Sequence, residues 1–551
     1  MYFALSRITV TVLSLLVFCS DHSHAISEEA FQKVFAEHLD RGPASYLNLE
    51  AHGKSAAEID EKLNEMYRGN GLQPFWVHDG RPDSRAADIL AVLEGAESHG
   101  LDPASYFTDK IRQYWDSKDT TGLVRLDILL TMGMVRYVAD QREGRIEPRQ
   151  VDPVLFETAR DAEVDWNALL QAAFAAPDMN AFLEQQAPPL LQYRRLREKL
   201  SEYRQIDAEG GWPLIPDGET LKPGEEDQRV AIVRQRLVAT KELPTEDMAS
   251  TLFDESLAEA VKRFQARHNL KPDGVIGKQT MAAMNVPVAD RIEQIVINME
   301  RYRWLKRFND DRLVVVNIAG FRAAAGKPGA FDLTMPVIVG KAYHATPVFS
   351  EMIKYVEFNP YWNLPASIAR TETLPKLKQD PLYLQKHNMR IFQGWEEGAP
   401  ELDSTSMDWS KISERDMNRY RVRQDPGPNN ALGTLKIMFP NKYSVYLHDT
   451  PAHGLFKQEQ RAFSHGCIRM SRPAEMAAWV LGGEEQGWNL EKVNGIIKKR
   501  ESQVVVLDEP IPVYILYRTA FVNPEDDALY FYEDIYERDK LLAKSFFGAV
   551  H

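Results

Sequence analysis

The segment "YSVYLHDTPAHGLFKQEQRAFSHGCIRM", residues 443–470, combines strand-forming residues with a closely spaced set of reactive side chains. Its first residues are rich in aromatic and β-branched types, which predicts a strand that ends at His448. Residues 449–463 separate this histidine from a Ser-His-Gly-Cys sequence that ends at Cys467. The fold of this segment therefore decides whether the histidine and the thiol meet.

Cys467 is predicted to have no cysteine partner in the mature chain. The other cysteine, Cys19, lies in an N-terminal segment in which an apolar run, 8–18, precedes Ser-His-Ala at 23–25. This pattern predicts a cleaved signal peptide over 1–25 and export to a compartment in which disulfides are permitted. The run is shorter than the about 20 residues that span a membrane, and an uncleaved anchor is the alternative. A single exported cysteine is either a small buried hydrophobe or a reactive thiol.

Length and charge restrict the class of protein. The 551 residues predict three or four domains at about 150 residues each. The formal net charge is −14, and no block of lysine or arginine interrupts it. Nucleic acid is therefore not an expected partner.

The N-terminal part of the chain, 26–215, has the pattern of a helical scaffold domain. In "SAAEIDEKLNEMYRGNG", Ser55 and Glu58 have capping-box spacing, and Gly-Asn-Gly at 69–71 ends the helix. Its apolar face consists of Ile59, Leu63, Met66 and Tyr67. Further helices are predicted to begin at Pro103 and to cover 123–144 and 190–206. No catalytic pattern occurs here, and 210–228 has the Gly, Pro and acidic residues of a linker.

Residues 226–287 are predicted to form a small domain of three helices. The second helix begins at Asp254 and carries Leu257, Val261 and Phe264 on one stripe, and a "DGVIG" turn leads into the third. Together with the Arg-Leu pair at 236–237 and the "AVKRFQ" sequence, these features resemble the peptidoglycan-binding domain of bacterial cell-wall enzymes. A plain helical bundle is the alternative.

A β domain over 311–520 follows a connecting helix, 288–310. Its strands are short, β-branched and aromatic-rich, and they are predicted at 312–323, 333–341, 353–362, 433–439 and 443–449. The segment 366–428 is too long for a structureless loop in a compact domain. We expect it to be a capping subdomain inserted over the site, and 521–551 to be a C-terminal extension.

Cys467 needs a partner if it is a nucleophile. A free thiol has a pKa of about 8.5, and an adjacent imidazole or electropositive setting makes it more reactive. His448, at a strand end, and His465, which would share a face with the sulfur in an extended stretch, are the candidates. A zinc site of these residues and His453 is a further alternative, although the spacing is typical of no zinc motif.

The His-spacer-Ser-His-Gly-Cys sequence is similar to the L,D-transpeptidase catalytic domain. "VGKAYHATPVFS", "LGTLKIMFPN" and "HDT" resemble further segments of that family. The domain order, with the tail "YILYRTAFV…DIY", resembles the large periplasmic L,D-transpeptidases of Gram-negative bacteria. The resemblance implies a multidomain α+β protein, with a mostly β catalytic domain, an inserted capping subdomain, a helical scaffold and a three-helix peptidoglycan-binding domain.

The resemblance also implies roles for individual residues. Cys467 would attack the carbonyl of the third residue of a tetrapeptide stem, form a thioester and release D-Ala. His448 would be the general base, oriented by the backbone carbonyl of Asp449. Backbone N–H groups around His465, Gly466 and Cys467 would form the oxyanion hole. A diaminopimelate amine would then resolve the thioester into a 3→3 cross-link.

The same resemblance suggests residues that hold the substrate. Arg469 stands where many family members have Asn, and its guanidinium suits a stem carboxylate. The other candidates are Ser464, which would brace the loop, Lys341, and the pocket-wall residues Tyr355, Tyr361, Trp362 and Asn363, for which aromatic strand packing is the alternative. No metal or organic cofactor is expected, and the thiol should react with carbapenems.

Two classes of function remain open from the sequence. The first is a cysteine transpeptidase that acts in cell-wall organisation and cell shape. The second is a non-catalytic peptidoglycan-binding scaffold. Within the enzyme class the acceptor is open: water would give an L,D-carboxypeptidase or endopeptidase on the same fold, an external D-amino acid would give exchange, and a lipoprotein lysine would give protein anchoring. The expected partners are peptidoglycan stem peptides and glycan, together with other cell-wall synthesis enzymes.

Overall fold

The structure, a computed structural model, describes residues 28–50, 54–152, 164–245, 248–305 and 311–548. The predicted signal peptide and Cys19 lie outside the described residues. The described residues divide into two compact units, of which the first comprises 28–50, 54–95, 103–137 and 165–180. No helix of the described ranges is long and apolar enough to cross a membrane. The predicted 26–215 segment is thus shared between the two units.

The first unit is built mainly from helices. The elements up to residue 184 are α1 (Glu28–Asp40), α2 (Pro43–Tyr46), α3 (Ala56–Gly69), β1 (Val77–His78), β2 (Arg81–Pro82), α4 (Ser84–Glu94), α5 (Thr108–Tyr114), α6 (Thr120–Glu143), α7 (Pro148–Val151), α8 (Trp166–Ala175) and α9 (Met179–Glu184). Helix α7 and the C-terminal parts of α6 and α9 belong to the second unit. The predicted capping box of α3 is confirmed, and its predicted apolar face is buried. At Pro103 the chain forms a short 3-10 helix, and Phe107, at φ 63°, separates it from α5.

A buried carboxylate on α6 organises the turn that follows α3. Asp127 has no exposed surface, and its carboxylate accepts N–H bonds from Phe75, Trp76 and Val77 at 3.1, 2.7 and 3.1 Å. The Tyr67 hydroxyl donates to the same carboxylate at 2.8 Å. Four donors therefore depend on one side chain.

Asp127→Ala is expected to destabilise the first unit by about 3–5 kcal/mol, because buried donors that lose their acceptor keep their desolvation penalty. Denaturant unfolding followed by circular dichroism measures the loss. The control is Asp116→Ala, which removes an exposed carboxylate and should change stability by less than about 0.5 kcal/mol. Equal stability of the two variants would contradict the structural role of Asp127.

The peptidoglycan-binding-like segment of the second unit is a compact bundle of three helices. Helices α10 (Leu191–Ala208), α11 (Gln228–Ala239), α12 (Glu255–Arg267), α13 (Lys278–Met284) and α14 (Val288–Arg303) follow one another, and α11–α13 share one core. The Asp254 carboxylate accepts the Leu257 N–H at 2.9 Å, which confirms the predicted start of α12. The predicted stripe is buried.

Gln265 connects the two motifs that carried the resemblance of this bundle. Its amide nitrogen donates to Asp273 Oδ1, the Val275 carbonyl and Thr280 Oγ1 at 3.1, 2.8 and 3.1 Å, while its oxygen accepts the Gly274 N–H at 2.9 Å. The "AVKRFQ" helix and the "DGVIG…T" turn are therefore held together by a single side chain.

The β domain is a sheet of nine strands that encloses an apolar core. The strands from residue 313 to 516 are β3 (Leu313–Asn317), β4 (Arg322–Lys327), β5 (Ala330–Gly340), β6 (Phe349–Phe358), β7 (Trp362–Asn363), β8 (Met389–Gln393), β9 (Glu401–Leu402), β10 (Tyr420–Gln424), β11 (Leu435–Met438), β12 (Leu447–His448), β13 (Ala462–Ser464), β14 (Ile468–Met470) and β15 (Gln503–Leu516). The nine-stranded order is β13-β5-β14-β12-β11-β6-β15-β3-β4. A further pairing of β4 with β5 makes the sheet barrel-like.

The predicted insertion, 366–428, belongs to an ordered subdomain that begins before the predicted start, at β7, and has its own sheet and core. Its strand order is β7-β10-β8-β9, and its helices are α15 (Ala366–Ile368), α16 (Leu374–Gln379) and α17 (Tyr383–Lys386), with a π-helical turn at Ala369–Thr373 between the first two. The core includes Leu364, Leu374, Leu377, Leu384, Ile391, Trp409, Met417 and Val422. The fold class predicted from the sequence is confirmed.

The C-terminal elements return to the edge of the β domain. They are α18 (Pro473–Val480), α19 (Leu490–Lys499), β16 (Ala520–Val522), β17 (Leu529–Phe531) and α20 (Arg538–Phe547). Before α20, the Tyr536 hydroxyl donates to the Gly340 carbonyl at 2.5 Å and accepts the Thr346 N–H at 3.2 Å. The tail therefore supports the 340–346 loop, which contacts the Ser-His-Gly-Cys segment.

Candidate active site

The predicted nucleophile and base lie on neighbouring strands of the sheet. Strands β12 and β14 pair in parallel, with Leu447 opposite Ile468 and His448 opposite Arg469. Leu447 and Ile468 point into the core. Because successive side chains alternate between the faces of a sheet, the residues on either side of them point to the opposite face. This opposite face, which we call the reactive face, carries Tyr355, Glu357, Lys436, Tyr446, His448, Cys467 and Arg469.

Cys467 is a free, half-buried thiol directly before β14. Its Sγ donates to the Ser444 carbonyl at 3.6 Å. Ser444 has φ 56°, an uncommon value for a residue other than glycine. Burial raises the pKa of the Cys467 thiol, while hydrogen bonds from Tyr446 and the charges of Arg469 and Lys436 act to lower it. The thiol is therefore protonated at neutral pH and requires a base to react.

His448 is held in a form that can accept this proton. It is 4% exposed, and its Nδ1 lies 2.5 Å from the Asp449 carbonyl oxygen. Burial, followed by the charge of Arg469, lowers the pKa of His448 to about 3. The ring is therefore neutral, and because Nδ1–H donates to a carbonyl, the lone pair resides on Nε2. This is the contact that the family resemblance implies for Asp449.

The Asp449 side chain fixes the turn from which that carbonyl projects. Its Oδ2 accepts bonds from the N–H and the hydroxyl of Thr434 at 2.8 and 2.7 Å, and its Oδ1 accepts the Thr450 N–H at 2.7 Å. Gly433, at φ 64°, leaves no room for a Cβ, which would overlap the same carboxylate. Sequence reasoning missed Thr434, although it noted the Gly-Thr pair as part of a family segment.

Ser464 shapes the loop of the nucleophile. Its hydroxyl donates to the Cys467 carbonyl at 2.5 Å and accepts the Gly466 N–H at 3.1 Å. Gly466 has φ 111°, in the region that favours glycine. The Gly466 amide is thus engaged within the loop, whereas the resemblance placed it among the oxyanion donors.

The 340–346 loop braces the same residues from the other side. The Lys341 N–H donates to the Ser464 carbonyl at 3.0 Å. The Thr346 hydroxyl donates to the Gly466 carbonyl at 2.8 Å and accepts the Gly340 N–H at 2.9 Å. Lys341 therefore contributes to the site through its backbone.

His465 faces the inserted subdomain. Its Nε2 lies 2.7 Å from Oε1 of Glu372, which belongs to the π-helical turn, and its ring centroid is 4.9 Å from that of His344. The side chain is exposed, and sequence reasoning gave no signal for Glu372. A short π-helical turn within a helix frequently marks a functional position.

Arg469 is a half-buried cation beside the candidate base. It lies directly across from His448 in the β12–β14 ladder. Its Nε has no hydrogen-bond partner among the described residues, and no carboxylate in that part of the chain forms an ion pair with it. Burial lowers the pKa of Arg469, and the nearby Cys467 thiol acts in the opposite direction.

The predicted pocket-wall residues divide between two places. Tyr355 lies on the reactive face. Trp362 and Asn363 form β7 of the inserted subdomain, and Trp362 packs against its core. The Tyr361 ring lies under the Arg423 guanidinium, at 4.3 Å. Aromatic packing therefore accounts for Trp362, which is the alternative given above for the pocket-wall residues.

The side chains of the zinc alternative do not converge. Among the described residues, no group of three or more His, Cys, Asp or Glu side chains is arranged to hold a metal ion. His453 lies 4.0 Å from an Asp449 oxygen, while His465 pairs with Glu372. The four candidate zinc ligands therefore do not share one site: His453 approaches Asp449, His465 pairs with Glu372, and His448 and Cys467 lie on the reactive face.

Comparison with known families agrees with this geometry. Residues 311–506 match the family described as "L,D-transpeptidase catalytic domain", 226–284 match "Putative peptidoglycan binding domain", and 61–200 match "Scaffold domain". Three segments of the chain therefore match the families that their sequence motifs resemble.

The similarity to individual known proteins covers part of the chain. A protein of Haemophilus influenzae named "Putative L,D-transpeptidase" is 32% identical over 248 residues, which cover 45% of this chain and 48% of that protein. The chain thus spans about half the length of this curated relative. Two solved L,D-transpeptidases are also similar: one from Mycobacterium smegmatis, at 15% identity, 37% and 58% coverage and TM-score 0.18, and one from Xylanimonas cellulosilytica, at 14% identity, 55% and 99% coverage and TM-score 0.18.

Proposed function

We propose that this protein is a peptidoglycan L,D-transpeptidase that works through an acyl-enzyme on Cys467. The observation that carries the proposal is the pairing of β12 with β14, which places a neutral His448 and a half-buried Cys467 on one face of the sheet. A binding module has no need of a thiol next to an oriented base. The alternative of a non-catalytic scaffold therefore does not explain why His448 and Cys467 lie on one face of the sheet.

In the first step, His448 Nε2 removes the thiol proton as the sulfur attacks the carbonyl carbon of the third stem residue. The imidazolium that forms is stabilised by its bond to the Asp449 carbonyl. When the tetrahedral intermediate collapses, the C–N bond to the terminal D-Ala breaks, and the imidazolium gives its proton to the leaving amine. The product is a thioester on Cys467 and free D-Ala.

The developing oxyanion is assigned to the backbone N–H groups of His465 and Cys467. Ser464 already holds the Gly466 N–H, and the Thr346 hydroxyl holds the Gly466 carbonyl. Both bonds keep the loop in one conformation, so the donors need little reorganisation during the reaction. Gly466 acts here as a conformational element of the loop.

In the second step, an amine replaces the sulfur. The side-chain amine of diaminopimelate on a second stem attacks the thioester, His448 accepts its proton, and the thiol is regenerated with a 3→3 cross-link as product. The peptidoglycan-binding domain and the ordered insertion support a polymeric substrate and a bulky acceptor. Arg469 supplies a cation for a stem carboxylate. Action in the periplasm follows from the predicted signal peptide.

The test is direct detection of the acyl-enzyme. Incubation with a disaccharide-tetrapeptide should add the mass of the donor without D-Ala to the intact protein, and release one D-Ala for each thioester formed. Cys467→Ala should show neither change. A carbapenem, whose strained ring resembles the donor bond, should add its own mass at the same residue.

The acceptor is identified in the same reaction. Cross-linked dimer as the main product supports transpeptidation, whereas tripeptide alone would indicate an L,D-carboxypeptidase. Absence of both the adduct and D-Ala release from the exported, folded protein would overturn the enzyme proposal in favour of the scaffold.

A further inference from the structure

A half-buried ion pair crosses the reactive face next to the candidate base. Lys436 Nζ lies 2.8 Å from Glu357 Oε2, and each side chain is 16% exposed. The two residues are directly opposite in the β6–β11 ladder. Their neighbours along β11, Leu435 and Ile437, are completely buried in the core. At these positions the reactive face therefore carries a charged pair, whereas the opposite face of the same strands carries apolar side chains.

Lys436 is also the cross-strand neighbour of His448. The two residues pair in the antiparallel β11–β12 ladder, so their Cβ atoms are about 5 Å apart. Lys436 Nζ is 5.8 Å from the centroid of the Tyr446 ring, and Tyr446 hydrogen-bonds to the Cys467 thiol. Lys436 is thus a direct cross-strand neighbour of His448, and it is connected to the Cys467 thiol through Tyr446, which contacts both.

The titratable and charged groups of the elements packed around the base and the thiol are Glu357 and Tyr355 of β6, Lys436 of β11, Tyr446 and Asp449 of the β12 segment, His453 after it, Arg469 of β14 and, at the loop, His465 with its partner Glu372. The Asp449 carboxylate is held by Thr434 and Thr450. Glu357 is therefore the carboxylate that modulates Lys436.

We propose that Lys436 is a positioning residue of the active site, whose ammonium, held by Glu357, favours the neutral imidazole of His448 and the anionic form of the Cys467 sulfur. Arg469 does the same from the other side, so that His448 lies between two cations along the row Lys436–His448–Arg469. The electrostatic effect of Lys436 on both groups has this sign. Glu357 holds the ammonium in place and partly offsets its field.

The two members of the pair should therefore have opposite effects on the thiol. Lys436→Met removes a nearby positive charge and keeps the length of the side chain, so the apparent pKa of Cys467 should rise. Glu357→Gln keeps the shape and leaves Lys436 without its counter-charge, so the same pKa should fall. We expect shifts of about half a unit or more in each direction.

The experiment measures alkylation of Cys467 by iodoacetamide across pH in the full-length protein, with intact mass as the readout. Thermal unfolding of each variant confirms that it is folded. Lys327→Met, which removes an exposed lysine from strand β4 of the same sheet, is the matched control and should leave the pH profile unchanged. Opposite shifts in the two variants support the proposal.

Shifts of the Cys467 pKa in the same direction in both variants, or alkylation profiles equal to that of the wild type, would overturn the proposed role of Lys436. A purely structural ion pair would affect both variants alike. The inference rests on the proposed role of Cys467 as the nucleophile. Alkylation needs no peptidoglycan substrate, so a failure to release D-Ala would count against the proposed function while leaving opposite shifts in the thiol profile intact.

Discussion

His448→Gln is expected to reduce the rate of Cys467 acylation by about 10²- to 10⁴-fold, the usual contribution of a positioned base. Glutamine can still donate to the Asp449 carbonyl, which lies 2.5 Å from the imidazole nitrogen in the native protein. It cannot take the thiol proton. Because burial raises the pKa of Cys467, the uncatalysed supply of thiolate is small. Mass spectrometry of the donor or carbapenem adduct over time measures the rate.

The pH dependence of the native enzyme provides a second test of this residue. The pKa of His448 is lowered to about 3, so protonation of the base should not reduce acylation between pH 7 and 5. The unfolded histidine binds a proton below a pH of about 6.5, whereas the folded one does so only near pH 3. Between these values the unfolded state binds more protons than the folded state, so acid favours unfolding. Stability is therefore lost as pH falls from 6.5 toward 3.

In His448→Gln this part of the acid destabilisation should disappear. Urea unfolding at pH 7 and pH 5 measures it, with the exposed His453→Gln variant as control for general loss of a histidine. Acylation of His448→Gln within tenfold of the native rate would show that another group serves as base. An acid limb near pH 6.5 in the native acylation profile would contradict the neutral, buried state of the imidazole.

Local signals account for the elements that the sequence predicted well. The capping box of Ser55 and Glu58, the Asp254 cap and the stripe led by Leu257 each depend on residues within a few positions of one another. Side-chain periodicity and capping are properties of the segment itself. At Pro103 the same reasoning predicted an α-helix, but Phe107 at φ 63° interrupts the chain after one 3-10 turn.

The sequence predicted only those residues of the candidate site that lie close together in the chain. Cys467 and His448 belong to one recognisable segment. Glu357 and Lys436, by contrast, become neighbours of His448 through strand register, which no spacing in the sequence reveals. Glu372 reaches the loop because the insertion folds as a separate subdomain. Each of these contacts is set by tertiary structure.

The second large effect is expected from a substitution at Gly340, in the loop at the end of β5, because this position has no room for a side chain. Gly340→Ala would place a Cβ on the His344 carbonyl oxygen and 2.9 Å from the Thr346 nitrogen, both of them backbone atoms. Gly340 also receives the Tyr536 hydroxyl on its carbonyl and donates its N–H to Thr346. The loop can relieve the overlap only by moving, and the Thr346 hydroxyl moves with it.

That movement removes the hydroxyl that fixes the Gly466 carbonyl next to the nucleophile. We expect Gly340→Ala to slow acylation of Cys467 by about 100-fold, the cost of misplacing a reacting group by about 1 Å, and to lower stability by about 3 kcal/mol through overpacking. The control is Gly454→Ala, whose Cβ meets no atom within 4 Å. Acylation kinetics and denaturant unfolding of both variants separate the two effects. Native kinetics in Gly340→Ala would mean that the loop, and with it the contact from Tyr536, does not position the thiol.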